Sequence, residues 1–268
     1  MTKLNTFISG LNAPYGLTFH NGLLYVSNTK SNTISQITAD GRISIYIDHG
    51  LSSPTGMVFD ECGNLYVANS NTTNSNGFII KISQDKHVCN VISGLCYPTG
   101  LAMDKKNNLY VANNGATDNS GTIMKLSPKS KKSTFVSGLH YPNALTFDKS
   151  GILYVSCDDH TIKQITPRGI VSIYVSAESG FQYPNGLAFY GNNLYVSCYG
   201  SVDGSNGTIY RVSKTRHNKP RSTSEYIPNL PCPTNIAVDC QGYLYVGYQV
   251  KNEIQKTNKP LIKNWITL

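Results

Sequence analysis

Short runs of alternating apolar and polar residues follow one another along nearly the whole chain, punctuated by Gly, Asn, Asp and Pro. One kind of run sets large apolar residues on either side of a small one, as in Gly16-Leu17-Thr18-Phe19, Gly56-Met57-Val58-Phe59 and Gly186-Leu187-Ala188-Phe189. A second reads Leu-Tyr-Val-Ser or a close variant. A third falls at 33–37, 78–82, 122–126, 161–165, 208–212 and 253–257, and a fourth at 43–47, 88–92, 134–136 and 170–175, fainter near 224–227. Strand side chains alternate between faces, so period-two patterning over short runs bounded by turn residues predicts β-strands.

The four kinds of run recur in a fixed order. A segment close to Gly-Leu-x-x-Pro-x-Gly-Leu-x-Phe-Asp-x-x-Gly-x-Leu-Tyr-Val-x-Asn appears six times. Its prolines are Pro14, Pro54, Pro98, Pro142, Pro184 and Pro233, and its tyrosines are Tyr25, Tyr66, Tyr110, Tyr154, Tyr195 and Tyr245. Tyr-to-Tyr spacings of 41 to 50 residues match a four-stranded propeller blade. A ring of such blades leaves no free sheet edge at its centre. The prediction is an all-β, six-bladed β-propeller of antiparallel four-stranded blades, a single domain over 1–268, closed by pairing of terminal strands. Two segments compete for the last outer place: residues 4–11, which resemble 91–95 at the end of an outer strand, and residues 263–268.

Turn chemistry supports the same frame. Pro-x-Gly before each inner strand suggests a turn in which the Gly takes a positive φ, with Asn235 tolerated in its place in the sixth unit. Asp60, Asp104, Asp148 and Asp239 then start tight turns, since Asp at such a position bonds the backbone two residues on. His20 and Tyr190 depart from that pattern.

Composition narrows the context. Among 268 residues there is no apolar stretch of membrane-spanning length, and the opening Met1-Thr2-Lys3-Leu4-Asn5 lacks a signal-peptide core. The seven cysteines form no Cys-x-x-Cys pair and read as reduced thiols, so a cytoplasmic monomer is expected. The net charge is +8. Lys105, Lys106, Lys129, Lys131, Lys132, Lys149, Lys214, Arg216, Lys219 and Arg221 fall in loops joining first strand to second or third to fourth, all on one end of the ring, the bottom. That end should attract RNA or an acidic protein partner.

Candidate chemistry gathers at the opposite end, the top, where function sits on loops held by a rigid scaffold. The residue after each repeat proline should line the mouth: Tyr15, Thr55, Thr99, Asn143, Asn185 and Thr234. Beside them fall the second-strand ends Asn28, Asn69, Asn113, Cys157, Cys198 and Tyr248. This ring is neutral and rich in hydrogen-bonding groups, suited to a polar ligand or peptide. Asp158-Asp159-His160 is the densest acidic group outside the turns, and a His near two carboxylates suits a base or a metal ligand. Cys157 and Cys198 have no basic group placed to lower their pKa, so inert thiols are expected. Walker, HExxH and GxSxG motifs are absent.

The segments from Pro54-Thr55-Gly56 to Leu65-Tyr66-Val67-Ala68-Asn69, and from Pro184-Asn185-Gly186 to Leu194-Tyr195-Val196, resemble NHL-repeat propellers over nearly the whole chain. That resemblance implies protein or RNA binding on one face of the disc. Gly207-Thr208-Ile209-Tyr210-Arg211-Val212 also resembles the gluconolactonase and senescence-marker-protein family, which implies a divalent metal at the top mouth. Where that family places a Glu ligand this chain has Asn12. Its Asn ligand matches Asn185 or Asn143, and its Asp ligand falls on Thr234 or Asn185. Virginiamycin B lyase has a related propeller, with no match to its catalytic residues here. The sequence thus favours a binding or scaffold module for a protein, peptide or polar ligand, with no bound metal or cofactor. The alternative is a lactonase, hydrolase or lyase-like propeller enzyme working at the top mouth.

Overall fold

The computed structural model describes residues 2–71, 76–201, 205–213 and 222–261. Strand β1 (Leu4–Ser9) precedes the first blade, which contains β2 (Pro14–His20), β3 (Leu23–Asn28), β4 (Thr33–Ile37) and β5 (Ile43–Ile47). Blade two holds β6 (Pro54–Phe59), β7 (Leu65–Asn69), β8 (Gly77–Ile82) and β9 (Val88–Leu95). Blade three holds β10 (Pro98–Met103), β11 (Leu109–Asn113), β12 (Gly121–Leu126) and β13 (Lys132–Leu139). Blade four holds β14 (Pro142–Phe147), β15 (Leu153–Cys157), β16 (Ile162–Ile165) and β17 (Val171–Val175). Blade five holds β18 (Pro184–Tyr190), β19 (Asn193–Cys198), β20 (Gly207–Ser213) and β21 (Ser222–Leu230). Blade six is β22 (Ile236–Val238), β23 (Leu244–Tyr248), β24 (Glu253–Thr257) and, on its outer edge, β1.

The amino-terminal segment therefore closes the ring. β1 pairs antiparallel with β24, Leu4 opposite Thr257 and Ser9 opposite Glu253. The competing segment at 263–268 lies outside the described residues, as do Asp203, Lys214, Arg216, Lys219 and Arg221. Among the described residues no helix is long and apolar enough to cross a membrane.

The core lies between adjacent blades rather than at the axis. Tyr110, Ile123 and Val136 of blade three pack with Leu145, Leu153 and Val155 of blade four, and equivalent clusters recur around the ring. Tyr110 meets Phe135 and Phe147 edge-on, both at 5.1 Å between centroids. Each fully buried Leu, Ile or Val contributes roughly 1.5–3 kcal/mol by leaving water. The Tyr hydroxyl is satisfied by the turn carboxylate: Tyr110 donates to Asp104 at 3.3 Å, Tyr154 to Asp148 at 3.3 Å and Tyr245 to Asp239 at 3.2 Å. The same carboxylates accept backbone N–H groups of their own turns, as expected for this chemistry.

The Pro-x-Gly expectation needs correction. Left-handed backbone occurs one residue before each proline, at Ala13, Ser53, Tyr97, Tyr141, Tyr183 and Cys232, with φ between 40° and 55°. The repeat glycines are not left-handed; they are required by close approach. A Cβ on Gly16 would lie 2.2 Å from the Thr55 carbonyl oxygen, and one on Gly56 2.2 Å from that of Thr99. Inner strands crowd together at the axis, and a Cβ there would hit the neighbouring blade's backbone.

Candidate functional site

Each of the first five inner strands carries a register break between its proline and the third residue on: Pro14/Leu17, Pro54/Met57, Pro98/Leu101, Pro142/Leu145 and Pro184/Leu187. A bulge at that point re-aims the intervening side chain. In these five blades the residue after the proline falls within that break, at the top end of the inner strand.

What that residue does there divides the ring. Thr55 donates its hydroxyl to the Pro98 carbonyl of the next blade at 3.0 Å, and Thr99 donates to that of Pro142 at 3.0 Å. In both blades the second strand carries an alanine, Ala68 or Ala112, near that point. In blades one, four and five the second strand carries serine instead, and in blade six Gly247. Ser27 accepts from Gly16 N–H at 2.8 Å and donates to the Thr55 carbonyl at 2.6 Å. Ser156 accepts from Ala144 N–H at 2.9 Å and donates to the Asn185 carbonyl at 2.8 Å. Ser197 accepts from Gly186 N–H at 2.8 Å and donates to the Thr234 carbonyl at 2.5 Å. Where serine makes the link, the mouth residue is released from it, and those residues are Tyr15, Asn143 and Asn185. In blade six, Thr234 is buried and its hydroxyl donates to the Gly247 carbonyl at 3.0 Å.

The released side chains converge. Asn143 Nδ2 donates to Asp158 Oδ1 at 2.6 Å, and Tyr15 lies close enough to Asn185 and Asp158 for both to act on its phenol. Tyr15 starts in blade one and Asn185 in blade five, so the phenol reaches across the mouth. Beneath it runs a central channel of about 300 Å³ lined by inner-strand residues such as Leu17, Met57, Leu101 and Leu187. Burial pushes the Tyr15 phenol up to about 12, so it stays protonated at neutral pH. Burial also raises the Asp158 carboxyl above its ordinary value, opposed by the Asn143 bond and by His140 and His160.

The sequence cluster Asp158-Asp159-His160 is split by its turn. Asp159 faces away from the mouth, bonded by Lys163 and, at 2.6 Å, by the Thr161 hydroxyl. Burial pushes its carboxyl up, but those bonds hold it below the ordinary value. His160 accepts the Tyr183 N–H through Nδ1 at 3.2 Å. Asp158 alone enters the mouth group. Asn28, Asn69 and Asn113 hold loops: their Oδ1 atoms accept from Asn12 N at 3.4 Å, Ser52 N at 2.8 Å and Cys96 N at 2.7 Å. Tyr248 is buried between blades five and six. Cys157 and Cys198 are buried, and burial pushes the Cys157 thiol up to about 12, which leaves it protonated and unreactive. Lys129, Lys131 and Lys132 are exposed at the bottom.

The signal that singles out Tyr15, Asn143 and Asn185 was present in the sequence. Serine at 27, 156 and 197 against alanine at 68 and 112 tracks Tyr or Asn against Thr after the proline. Only the interblade hydrogen bond shows why the two positions change together.

A divalent cation of the kind the family resemblance implies fits this set poorly. Asp158 is the only carboxylate in the group, Asn12 is exposed, and among the described residues no three His, Cys, Asp or Glu come together as a metal site. Hard dications need several oxygen ligands and gain tightness from their charge.

No family model and no curated protein matches the chain. Solved structures do. A gluconolactonase of Xanthomonas campestris is 15% identical, covers 96% of this chain and 89% of its own, and gives a TM-score of 0.79. The PQQ-bound aldose sugar dehydrogenase of Streptomyces coelicolor is 14% identical over 96% and 97% of the two chains, with a TM-score of 0.75. A catalytically inactive virginiamycin B lyase of Staphylococcus aureus with quinupristin is 18% identical over 98% and 100%, with a TM-score of 0.66. The likeness carries the six-bladed propeller fold alone; it does not single out the NHL-repeat family.

Proposed function

We propose that this propeller is a small-molecule enzyme of the lactonase or lyase type, working by general acid–base chemistry at the top mouth. The observation that carries the reading is the half-buried Asp158 carboxylate, held by Asn143 at 2.6 Å beside the Tyr15–Asn185 pair. Asp158 Oδ2 takes no hydrogen bond among the described residues, which leaves one carboxylate oxygen available as a base. Its raised pKa brings it nearer the working range of a general base.

On a cyclic ester, Asp158 takes a proton from the attacking water as the water oxygen bonds to the carbonyl carbon. The developing oxyanion accepts from the neutral Tyr15 hydroxyl and the Asn185 amide. When the ring C–O bond breaks, the leaving oxygen recovers the proton from Asp158. Preorganised donors aimed at developing charge supply the larger share of such catalysis. The solved folds it resembles, a gluconolactonase and a lyase among them, support this alternative over a passive scaffold.

The test is turnover of a panel of aldonolactones and cyclic depsipeptides, with chelator and with added Mg²⁺, Ca²⁺, Mn²⁺ or Zn²⁺. Turnover that persists in chelator and falls at least about 100-fold in Asp158→Asn is expected. Saturable binding without turnover would return the chain to the class of binding modules.

A further inference from the structure

The far end of the disc holds a second cavity with a different chemistry. Between the bottom turns of blades three and four lies a groove of about 600 Å³. Met103, Phe135 and Phe147 give it an apolar floor, and Lys105, Lys106, Lys125 and Lys149 surround it. Among the described residues none of these lysines makes an ion pair. Lys105 Nζ instead donates to the Lys149 carbonyl across the two blades at 3.0 Å, and Lys125 Nζ lies over the Tyr110 ring, 5.1 Å from its centroid.

Three acids are near. Asp104 and Asp148 line the groove, but their carboxylates are engaged by their own turns and by Tyr110 and Tyr154. Glu61 sits one blade away, accepting from Asn107 Nδ2 at 3.3 Å. Lys129, Lys131, Lys132 and Arg168 extend the positive surface on the loops of the same two blades. The chain supplies an internal control. The matching groove between blades six and one is about 380 Å³ and has Lys256 as its single lysine, with Asp239 opposite it. Of these two grooves, the one between blades three and four is the wider and the one ringed with cations.

We propose that this groove binds a small organic anion: a phosphate or carboxylate carried on a flat apolar body. Ammonium groups without an ion-pair partner, Lys105, Lys106 and Lys149, beside an apolar floor complement such a ligand at both ends, and neither half alone explains the arrangement. This site is independent of the top mouth.

The test uses 1-naphthyl phosphate as probe, followed by calorimetry, with 1-naphthol and inorganic phosphate as the two half-ligands. Saturable binding of the probe is expected, weakened about tenfold or more in the Lys105→Gln, Lys106→Gln, Lys149→Gln triple variant. These side chains are exposed, so the fold should survive. Lys30→Gln at the top should leave binding unchanged, and each half-ligand should bind at least about tenfold more weakly than the whole. Three results would overturn the proposal: no saturable binding, equal binding by the triple variant, or inorganic phosphate binding as tightly as the naphthyl ester. Tight binding of a random-sequence RNA with none of the naphthyl ester would assign the surface to a polyanion instead.

Discussion

The Ser156 hydroxyl donates to the Asn185 main-chain carbonyl at 2.8 Å, so blade four holds blade five by a residue that is not in the mouth. In blade two the same task falls to Thr55, a mouth residue, acting on Pro98. The ring thus separates blades that use their mouth side chain for assembly from blades that leave it for chemistry.

This division predicts an asymmetry between variants. Ser156→Ala leaves the Asn185 carbonyl and the Ala144 N–H without that partner, at a cost of about 1–3 kcal/mol. Thr55→Val should cost a similar amount. Asn143→Ala and Tyr15→Phe leave the serine and threonine links between neighbouring blades in place and should change stability far less while impairing turnover. Chemical denaturation of the four variants checks this; equal losses across all four would remove the distinction.

Asp158→Asn should raise stability at neutral pH. The Asp158 carboxyl is raised by burial in the folded chain, so the fold favours its protonated form. The stabilisation from that preference is complete below the unfolded pKa and lost as pH rises through the folded pKa. At neutral pH the folded chain therefore holds a charge it disfavours, which Asn removes. Melting curves should show the variant ahead at pH 7 and level with the wild type near pH 3, below the ordinary carboxylate value of about 3.9. Asp159 runs the other way: its lowered carboxyl stabilises above the unfolded pKa, and that contribution fades as acid protonates it.

Closure by β1 makes the amino terminus structural. Deleting residues 2–9 removes every partner of β24 on that edge, including Leu4–Thr257 and Ile8–Ile254, and takes Ile8 out of the core between blades six and one. A large drop in melting temperature and edge-to-edge association are expected. Light scattering alongside thermal melting reads both, and an unchanged monomer would contradict the assignment.

The buried thiols should be inert. Alkylation by iodoacetamide at neutral pH should spare Cys157 and Cys198 in the folded chain while reaching the exposed Cys62, Cys89 and Cys240. Peptide mapping decides it. Rapid labelling of Cys157 would contradict both its burial and its raised pKa.

Much of this architecture is legible in the sequence alone. The Leu-Tyr-Val runs and the regular prolines define blades because a half-buried strand must alternate. The Asp turns are read correctly because an Asx turn is a local interaction. What escaped reading was non-local. Gly16 and Gly56 are needed for contact with another blade, which no local pattern records, and the positive φ went one residue before the proline instead. Asp159 and His160 stand next to Asp158 in sequence, yet side-chain direction and the partners Lys163 and Tyr183 separate them. Tyr15 and Asn185 lie 170 residues apart and meet only because the ring closes.

The most direct test of the acid–base account is the pH dependence of kcat/KM for the best lactone substrate, in chelator, for the wild type and Asp158→Asn. The account predicts an ascending limb in the wild type at a pKa above that of a free carboxyl, and its loss in the variant together with most of the rate. The same limb in both proteins, or a rate that requires added metal and ignores the substitution, would contradict it.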